Sequence, residues 1–319
     1  MTRSTLLLSS LLSTSEPPPL SLAGDPVHFT RLTLFPNTPR MVFLDIYEPT
    51  TPPPPVPGGR GAIIDVPGAG DNRSVEQLGL LSQSLAREGI IDVNVGTPAL
   101  FDYRVSAQEG EAVVLAFELM EHWPGVNPRH IGIITFSVGS LSAYIAAADP
   151  RIRDKVAFLG TLGGYADIAS LVRSVGTHSQ DINGQTQRWE PIATVAYVLY
   201  RSVSNLFSPA DQKLLQKAFP LTTSFPPPLP TAQVARLSPA GAAYYHLLEG
   251  DQPGNVNRNL AALPPALKAQ FTRLSPLSVI SQIRAPIHLL HDRNDPAIPY
   301  SQDLEMASAL AHLHHPYDL

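Results

Sequence analysis

Short apolar runs alternate with helical patterns along most of the chain, and this alternation constrains the fold more than any other feature of the sequence. The run GAIIDV at 61–66 has the composition of a strand that is buried on both faces. Further runs of this kind occur at 90–95 and 130–136, and each is followed by apolar residues at helical spacing. Parallel strands need such crossover connections. The sequence therefore predicts an α/β fold with a mostly parallel, doubly wound sheet.

The same pattern divides the chain into three parts. Residues 1–25 combine a short Leu- and Ser-rich run with a proline run, which predicts a flexible tail. Residues 26–165 and 282–319 carry the strand–helix alternation and are predicted to form one core. Residues 166–281 lose the alternation and contain helical runs rich in Leu and aromatic residues. We expect this stretch to be a largely helical cap inserted over the sheet.

Composition limits the class of partner. Hydrophobic residues make up 44% of the 319 residues, which is enough for a sizeable core. The net charge of −5, without a basic block, argues against a nucleic-acid or anionic membrane surface. The chain has no cysteine, which excludes disulfides, thiolate metal sites and a cysteine nucleophile. No run approaches the ~20 apolar residues of a membrane span. Because the N-terminal run lacks a clear cleavage site, a cytoplasmic location is favoured over secretion.

The segment TFSVG at 135–139 places Ser137 where a buried strand runs into a helix. A catalytic serine in a G-x-S-x-G turn is exposed at such a junction, and the following N–H lies at a helix N-terminus. Gly139 matches this signature, whereas Thr135 stands where the first glycine is expected. A serine after a strand is also a common helix N-cap. The segment alone leaves both interpretations open.

A glycine-rich loop, PGAGD at 67–71, follows the strand at 61–66. In a serine hydrolase this loop would supply a second backbone N–H to the oxyanion, and Ala69 is the expected donor. A dinucleotide-binding loop of the form G-x-G-x-x-G would need glycine at position 73, and Arg73 is there instead. We therefore expect neither a nucleotide nor any other organic cofactor, and no metal.

The third motif is HLLHDRNDPAIP at 288–299, which resembles the H-G-x-x-D-x-x-I-P loop after a late strand of α/β-hydrolases. With the serine turn and the glycine loop in matching order, the chain resembles the α/β-hydrolase family. The segment DPRIRDKVAFLGTLGGYADI at 149–168 resembles the one that follows the serine turn in bacterial dienelactone-hydrolase-like and serine-peptidase-like members. The resemblance covers roughly residues 28–165 and 282–311. It implies a parallel sheet with the active site at the carboxyl ends of its strands.

The resemblance also implies a role for each matching residue. Ser137 would be the nucleophile, and Asp295 would be the acid that orients a histidine base. The backbone N–H groups of Val138 and Ala69 would form the oxyanion hole. Asp292, which stands where the family usually has glycine, is a rival acid, and Asp167 is the position that some members use instead.

The histidine of the family normally follows one further strand after the helix beyond the acid loop. Here only HLHHPYDL at 312–319 follows that helix, so we expect the chain to lack its last strand and the histidine loop. His314 and His315 lie in the matching part of the sequence, but before the expected strand. By composition, His312, His314, His315 and Asp318 could also hold a metal, with a solvated tail as the alternative.

These features predict a serine hydrolase that cleaves a carboxylic ester or related acyl bond of a small molecule through an acyl-enzyme. If the base is absent, the alternative is a catalytically impaired protein of the same fold that binds small molecules or a partner without turnover. The sequence predicts no oligomeric state.

Overall fold

The computed structural model describes residues 24–52 and 58–319, so the predicted tail at 1–25 lies outside the described residues except for its last two positions. The strands are β1 (Val27–Leu34), β2 (Val42–Pro49), β3 (Arg60–Val66), β4 (Ile91–Gly96), β5 (Val126–Phe136), β6 (Leu159–Leu162), β7 (Ser179–Ile182), β8 (Gln185–Arg188), β9 (Ile287–Leu290) and β10 (Tyr317–Asp318). The α-helices are α1 (Glu76–Arg87), α2 (Pro98–Phe101), α3 (Gly110–Glu121), α4 (Ser140–Ala148), α5 (Ile168–Thr177), α6 (Ala193–Val203), α7 (Pro209–Ala218), α8 (Thr231–Val234), α9 (Pro239–Glu249), α10 (Val256–Ala262), α11 (Pro265–Arg273) and α12 (Ser301–His312).

Eight of the strands form one sheet in the order β1-β2-β4-β3-β5-β6-β9-β10. Strand β2 runs antiparallel to its neighbours β1 and β4. All other neighbouring strands in this sheet are parallel. The prediction of a mostly parallel sheet with flanking helices is therefore confirmed. Because the parallel strands share one direction, the loops after β3, β5 and β9 emerge at the same edge of the sheet.

Strand β6 begins later than the sequence predicts. The run KVAFLG indicates a strand at 155–160, but regular pairing with β5 starts at Leu159. The preceding turn accounts for the delay, because Lys155 and Val156 both donate their N–H to Ile152 O. A contact with β5 already exists upstream, since the N–H of Ala157 donates to the β5 backbone.

Two apolar cores hold the chain together. One lies between the sheet and its helices and contains the fully buried strand residues Leu44, Ile64 and Ile133. The second core is formed mainly by residues 166–281. It also includes Val138 and Ile298, which lie after strands β5 and β9 of the sheet. The inserted segment therefore packs directly over the turn that carries Ser137.

The inserted segment is not helical throughout. It contains helices α5 to α11 and also the antiparallel hairpin β7–β8. The hairpin turns at Asn183 and Gly184, which both have positive φ angles of 55° and 77°. Asn-Gly is the residue pair that a tight type I′ turn favours. The flanking strands are short and largely polar, so they lack the apolar alternation by which a strand is predicted.

At the end of the chain, only Tyr317 and Asp318 lie at the last strand position, where they form β10 and pair in parallel with β9. The side chains of His288 and Asp318 add a contact of 2.7 Å between Nδ1 and Oδ1. Within residues 24–52 and 58–319, no helix combines the length and the hydropathy that a membrane span requires.

Candidate active site

Ser137 lies between β5 and α4, at the start of a short 3₁₀ turn, Ser137–Gly139. Its φ angle is +52°, a left-handed conformation that is uncommon for a residue other than glycine. Phe136, not Ser137, occupies the N-cap position, and no side chain caps the turn. The Ser137 hydroxyl makes no hydrogen bond within the described part of the chain. The N-cap interpretation therefore does not hold, and the strained backbone is of the kind that clusters at functional sites.

The contacts around the turn explain why one glycine of the signature is present and the other is replaced. A Cβ at Gly139 would lie 2.3 Å from Pro67 O and 2.7 Å from Val66 O, so a side chain at this position would collide with fixed backbone. Thr135 is buried in β5, and its hydroxyl donates to Val66 O over 2.9 Å. A threonine is therefore accommodated at 135, whereas position 139 requires glycine.

Replacing Gly139 by alanine is expected to destabilise the protein by about 1–3 kcal/mol or more, because overpacking against backbone cannot relax by a rotamer change. Gly79 in α1 is the matched control, since a Cβ there meets nothing within 4 Å. Gly79→Ala should be neutral or stabilise by up to about 1 kcal/mol. Urea unfolding of both variants measures the difference, and equal stability of the two would contradict the contacts described for Gly139.

The glycine loop touches the Ser137 turn. A Cβ on Gly68 would lie 3.2 Å from the Cβ of Ser137. The side-chain amide of Asn72 donates to Gly68 O over 2.7 Å and thereby holds the loop in place. The N–H of Ala69 makes no hydrogen bond within the described residues, and the N–H of Val138 belongs to a first helical turn, where such groups lack helical partners. The structure thus brings both predicted oxyanion donors beside Ser137.

A cavity of about 210 Å³ opens beside Ser137. Apart from the Ser137 and Thr194 hydroxyls, its side chains are aliphatic, and no charged or aromatic side chain among the described residues lines it. The lining residues are Gly68, Ala69, Val105, Ser137, Val138, Ile168, Leu171, Ile192, Thr194, Val195, Val198, Leu199, Ala297 and Ile298.

Asp295 lies in the loop after β9, two residues before Ala297 of the cavity wall. Its Oδ1 accepts hydrogen bonds from the N–H of Ala297 at 2.7 Å and of Ile298 at 3.2 Å. The indole N–H of Trp189 donates to Asp295 O over 2.8 Å and fixes the loop from the side of the insertion. The second carboxylate oxygen, Oδ2, lies close to Gly163 after β6, where a Cβ would be 2.9 Å away. The loop therefore holds the carboxylate by one oxygen.

The two rival carboxylates have local structural roles. Asp292 is exposed, and its Oδ1 accepts the N–H of Asn294 over 2.9 Å within the same loop. Asp167 caps α5 by accepting the N–H of Ser170 at 2.8 Å, and its other oxygen accepts the hydroxyl of Ser275. None of the three carboxylates lines the cavity, but Asp295 accepts the N–H groups of Ala297 and Ile298, which do line it.

None of the ten histidines of the sequence lines the Ser137 cavity, and all ten lie in the described part of the chain. His315 contacts Ala285 O at 2.8 Å, before the first residue of β9, whereas Asp295 follows the last. His314 and His315 therefore lie at the end of the sheet opposite to the end that carries Ser137 and Asp295. His314 and His315 do not form a metal site. Among the described residues, no group of three or more His, Cys, Asp or Glu side chains is placed to hold a metal ion.

One histidine close to the acid was missed by the sequence analysis. The side chain of His291 is fully buried, with Nε2 2.9 Å from Ile298 O and 3.7 Å from Asp295 Oδ2. Its Nδ1 lies 3.1 Å from Oδ2 of the buried Asp303 on α12. Burial disfavours the charged imidazole, but the contacts with Asp303 and Ile298 outweigh it and raise the pKa of His291. His291 thus anchors the acid loop, and its position in the loop motif was the signal for it.

No family model matches the sequence, and no match is found among curated proteins. Solved structures do match. A puromycin-hydrolyzing peptidase from Mycobacterium tuberculosis aligns with 95% of this chain at a TM-score of 0.55 and 16% identity. The strand order and this similarity together decide the fold. The chain has the α/β-hydrolase fold.

Two further solved structures with this fold agree. The uncomplexed acylaminoacyl peptidase from Pyrococcus horikoshii aligns with 95% of the chain at a TM-score of 0.51 and 14% identity. A puromycin hydrolase aligns with 96% of it at a TM-score of 0.53 and 14% identity. The chain spans 36% to 38% of the length of these three proteins. At such identities the similarity concerns the α/β-hydrolase fold alone.

Proposed function

We propose that this chain is a serine-dependent acyl hydrolase with Ser137 as its nucleophile. The observation that carries the proposal is the strained Ser137 turn, whose free hydroxyl borders an apolar cavity beside two backbone N–H donors. In the proposed reaction, Ser137 Oγ bonds to the carbonyl carbon, the serine proton passes to a base, and the leaving group departs with a proton. Water then cleaves the acyl-enzyme and releases the acid.

The oxyanion is the charge that the chain itself is built to stabilise. The N–H groups of Ala69 and Val138 would donate to the carbonyl oxygen as it becomes negative. In a studied serine protease, one such donor contributes about 3–4 kcal/mol to the barrier reduction. The glycine loop and its Asn72 contact would hold Ala69 in place before the substrate binds.

Asp295 would orient the base and stabilise its protonated form, as the acid of a serine triad does. The solved structures of similar fold are named as peptidases and a hydrolase, so amide bonds belong within the proposed range beside esters. The absence of a histidine from the cavity favours a second candidate, a protein that binds acyl compounds without turnover. Loss of the base in a serine protease costs on the order of 10⁶ in kcat.

Reaction with an alkyl fluorophosphonate, followed by peptide mass spectrometry, tests the nucleophile. We expect a covalent adduct on Ser137 in the native chain, no adduct in Ser137→Ala, and an unchanged adduct in Ser281→Ala. Ser281 is an exposed serine that does not line the cavity, and it serves as the matched control. A folded native chain that remains unlabelled, or an adduct that persists in Ser137→Ala, would contradict the proposal. An unlabelled chain that still binds acyl ligands would establish the second candidate.

A further inference from the structure

We infer that the cavity beside Ser137 receives a linear aliphatic acyl group of medium length, and that a peptide does not occupy it. This inference rests on the proposed function, because it assigns the cavity to the acyl part of the substrate. Three observations carry it: the chemistry of the cavity wall, its volume, and the elements that form it.

Apart from the reacting hydroxyl of Ser137, the wall offers no free side-chain hydrogen-bond partner to a peptide. Its two hydroxyl groups belong to Ser137 and Thr194, and Thr194 Oγ1 already donates to Thr222 O over 2.9 Å. The remaining lining side chains are aliphatic. A peptide placed here would leave amide groups without hydrogen bonds, and a charged terminus would meet no counter-charge. An alkyl chain has no polar group that needs a hydrogen bond. Each methylene that it buries is expected to increase the affinity about fourfold.

The volume of the cavity limits how many carbons of an acyl chain it can enclose. A dry apolar cavity of about 150 Å³ binds benzene, which has six carbons. At the same packing, the 210 Å³ beside Ser137 would hold roughly eight carbons. The cavity is also smaller than the roughly 300–1,000 Å³ that drug-sized ligands occupy. Because the cavity is open to solvent on one side, it can enclose about eight carbons of an acyl group, and further carbons would extend into solvent.

The inserted segment supplies seven of the fourteen lining residues, whereas the sheet loops supply the reactive groups. Helix α6 contributes Val195, Val198 and Leu199, which are all buried. Helix α5 adds Leu171, of which only 1% is exposed. Because the protein interior is closely packed around these residues, the wall has a fixed length. The acyl preference therefore belongs to the insertion and can be altered without changing Ser137 or its oxyanion donors.

Binding of neutral alkyl amides to Ser137→Ala by calorimetry tests the cavity without requiring turnover. We expect affinity to rise about fourfold per methylene from butanamide to octanamide and to level off beyond eight carbons. N-acetyl-glycylglycinamide should bind at least tenfold more weakly than octanamide. In the native chain, the labelling rate of Ser137 by alkyl fluorophosphonates should follow the same order of chain length.

Filling the cavity should shorten the preferred chain. In Val198→Phe or, independently, Val195→Phe, the affinity maximum is expected to move to shorter amides, and octanamide should bind at least tenfold more weakly. Leu206→Phe, at an exposed residue outside the cavity, is the matched control and should leave the series unchanged.

The two proposals fail in different ways. If Ser137 is not the nucleophile, labelling is absent while the amide series still binds to Ser137→Ala. If the cavity is not an acyl site, Ser137 is labelled at a rate independent of chain length, or the capped dipeptide binds as tightly as octanamide. Either of these last two results would overturn the inference.

Discussion

Replacing Asp65 by asparagine is expected to raise the free energy of unfolding at pH 8 by about 2–4 kcal/mol and to flatten its dependence on pH. Asp65 lies on β3 and Asp92 on the neighbouring β4, and both side chains are completely buried. Among the described residues, neither oxygen of Asp65 has a hydrogen-bond partner, and Asp92 Oδ1 also lacks one. Asp92 Oδ2 accepts a hydrogen bond from the side-chain amide of Asn94 over 3.1 Å. Two buried carboxylates on neighbouring strands are costly in their charged form.

The sign follows from the pKa shifts. Burial raises the pKa of Asp92 from 3.8 to about 7, although a hydrogen bond from Ser82 opposes the shift. Burial, and then the neighbouring charge of Asp92, raises the pKa of Asp65 well above its ordinary value. The folded chain therefore keeps protons that the unfolded chain releases from about pH 4 upward. The stabilisation that these two protonated carboxyl groups contribute is complete below about pH 4. It is lost as the pH rises through about 7.

Each unit by which the folded-state pKa exceeds the unfolded value corresponds to about 1.4 kcal/mol between the two protonation states. The raised pKa values of Asp65 and Asp92 therefore make ionisation of the pair costly at pH 8. Asparagine has nearly the shape of a protonated aspartate and cannot ionise. Asp65→Asn should therefore remove one ionisation cost and weaken the like-charge contribution at Asp92.

Asp45 is the matched control, because it is a buried aspartate on β2 in the same row of the sheet as Asn94 and Asp65. Unlike Asp65, it pairs with Arg31 through two hydrogen bonds of 2.7 and 2.6 Å. Asp45→Asn should lower the stability at pH 8. Urea unfolding at pH 5, 6.5 and 8 separates the variants. The interpretation of Asp65 and Asp92 is wrong if Asp65→Asn is less stable than the native chain at pH 8. It is also wrong if the free energy of unfolding of Asp65→Asn depends on pH as steeply as that of the native chain.

A structural element could be predicted from the sequence where neighbouring residues carry a pattern that is typical of it. The parallel strands were predicted because burial on both faces leaves continuous apolar runs such as 61–66 and 130–136. The hairpin was missed because its strands are polar, although Asn183 and Gly184 marked its turn. Element ends were also shifted where a turn extended into the predicted strand, as before Leu159.

The candidate site shows the same division. Ser137, Ala69 and Asp295 lie in short loops whose glycine and aspartate spacing is visible in the sequence. The burial of His291 was not visible, since it depends on Asp303 in the following helix. The cavity wall was not visible either, because apolar residues of α5 and α6 have the same pattern whether they face a core or a ligand.

Imidazole added to the solution is expected to accelerate the acylation of Ser137 by on the order of 10²-fold, within the range that a positioned general base contributes. The Ser137 hydroxyl has no partner in the described residues, and Asp295 uses only one carboxylate oxygen for its loop. No histidine lines the space beside Ser137. A small base bound against Asp295 Oδ2 would take the serine proton and be stabilised as the cation. The labelling rate by a fluorophosphonate, measured against imidazole concentration, should rise and then saturate.

Two variants separate this effect from direct attack by imidazole on the probe. In Ser137→Ala the chain should remain unlabelled at every concentration, whereas probe hydrolysis in solution rises linearly with imidazole. In Asp295→Asn the acceleration should fall by at least tenfold, because an amide neither stabilises the imidazolium nor selects the tautomer that accepts the serine proton. Equal acceleration in the native chain and in Asp295→Asn would show that Asp295 does not orient the base. Since neutral imidazole is the active form, the acceleration should increase as the pH rises through about 7, and a decrease over that range would contradict general-base catalysis.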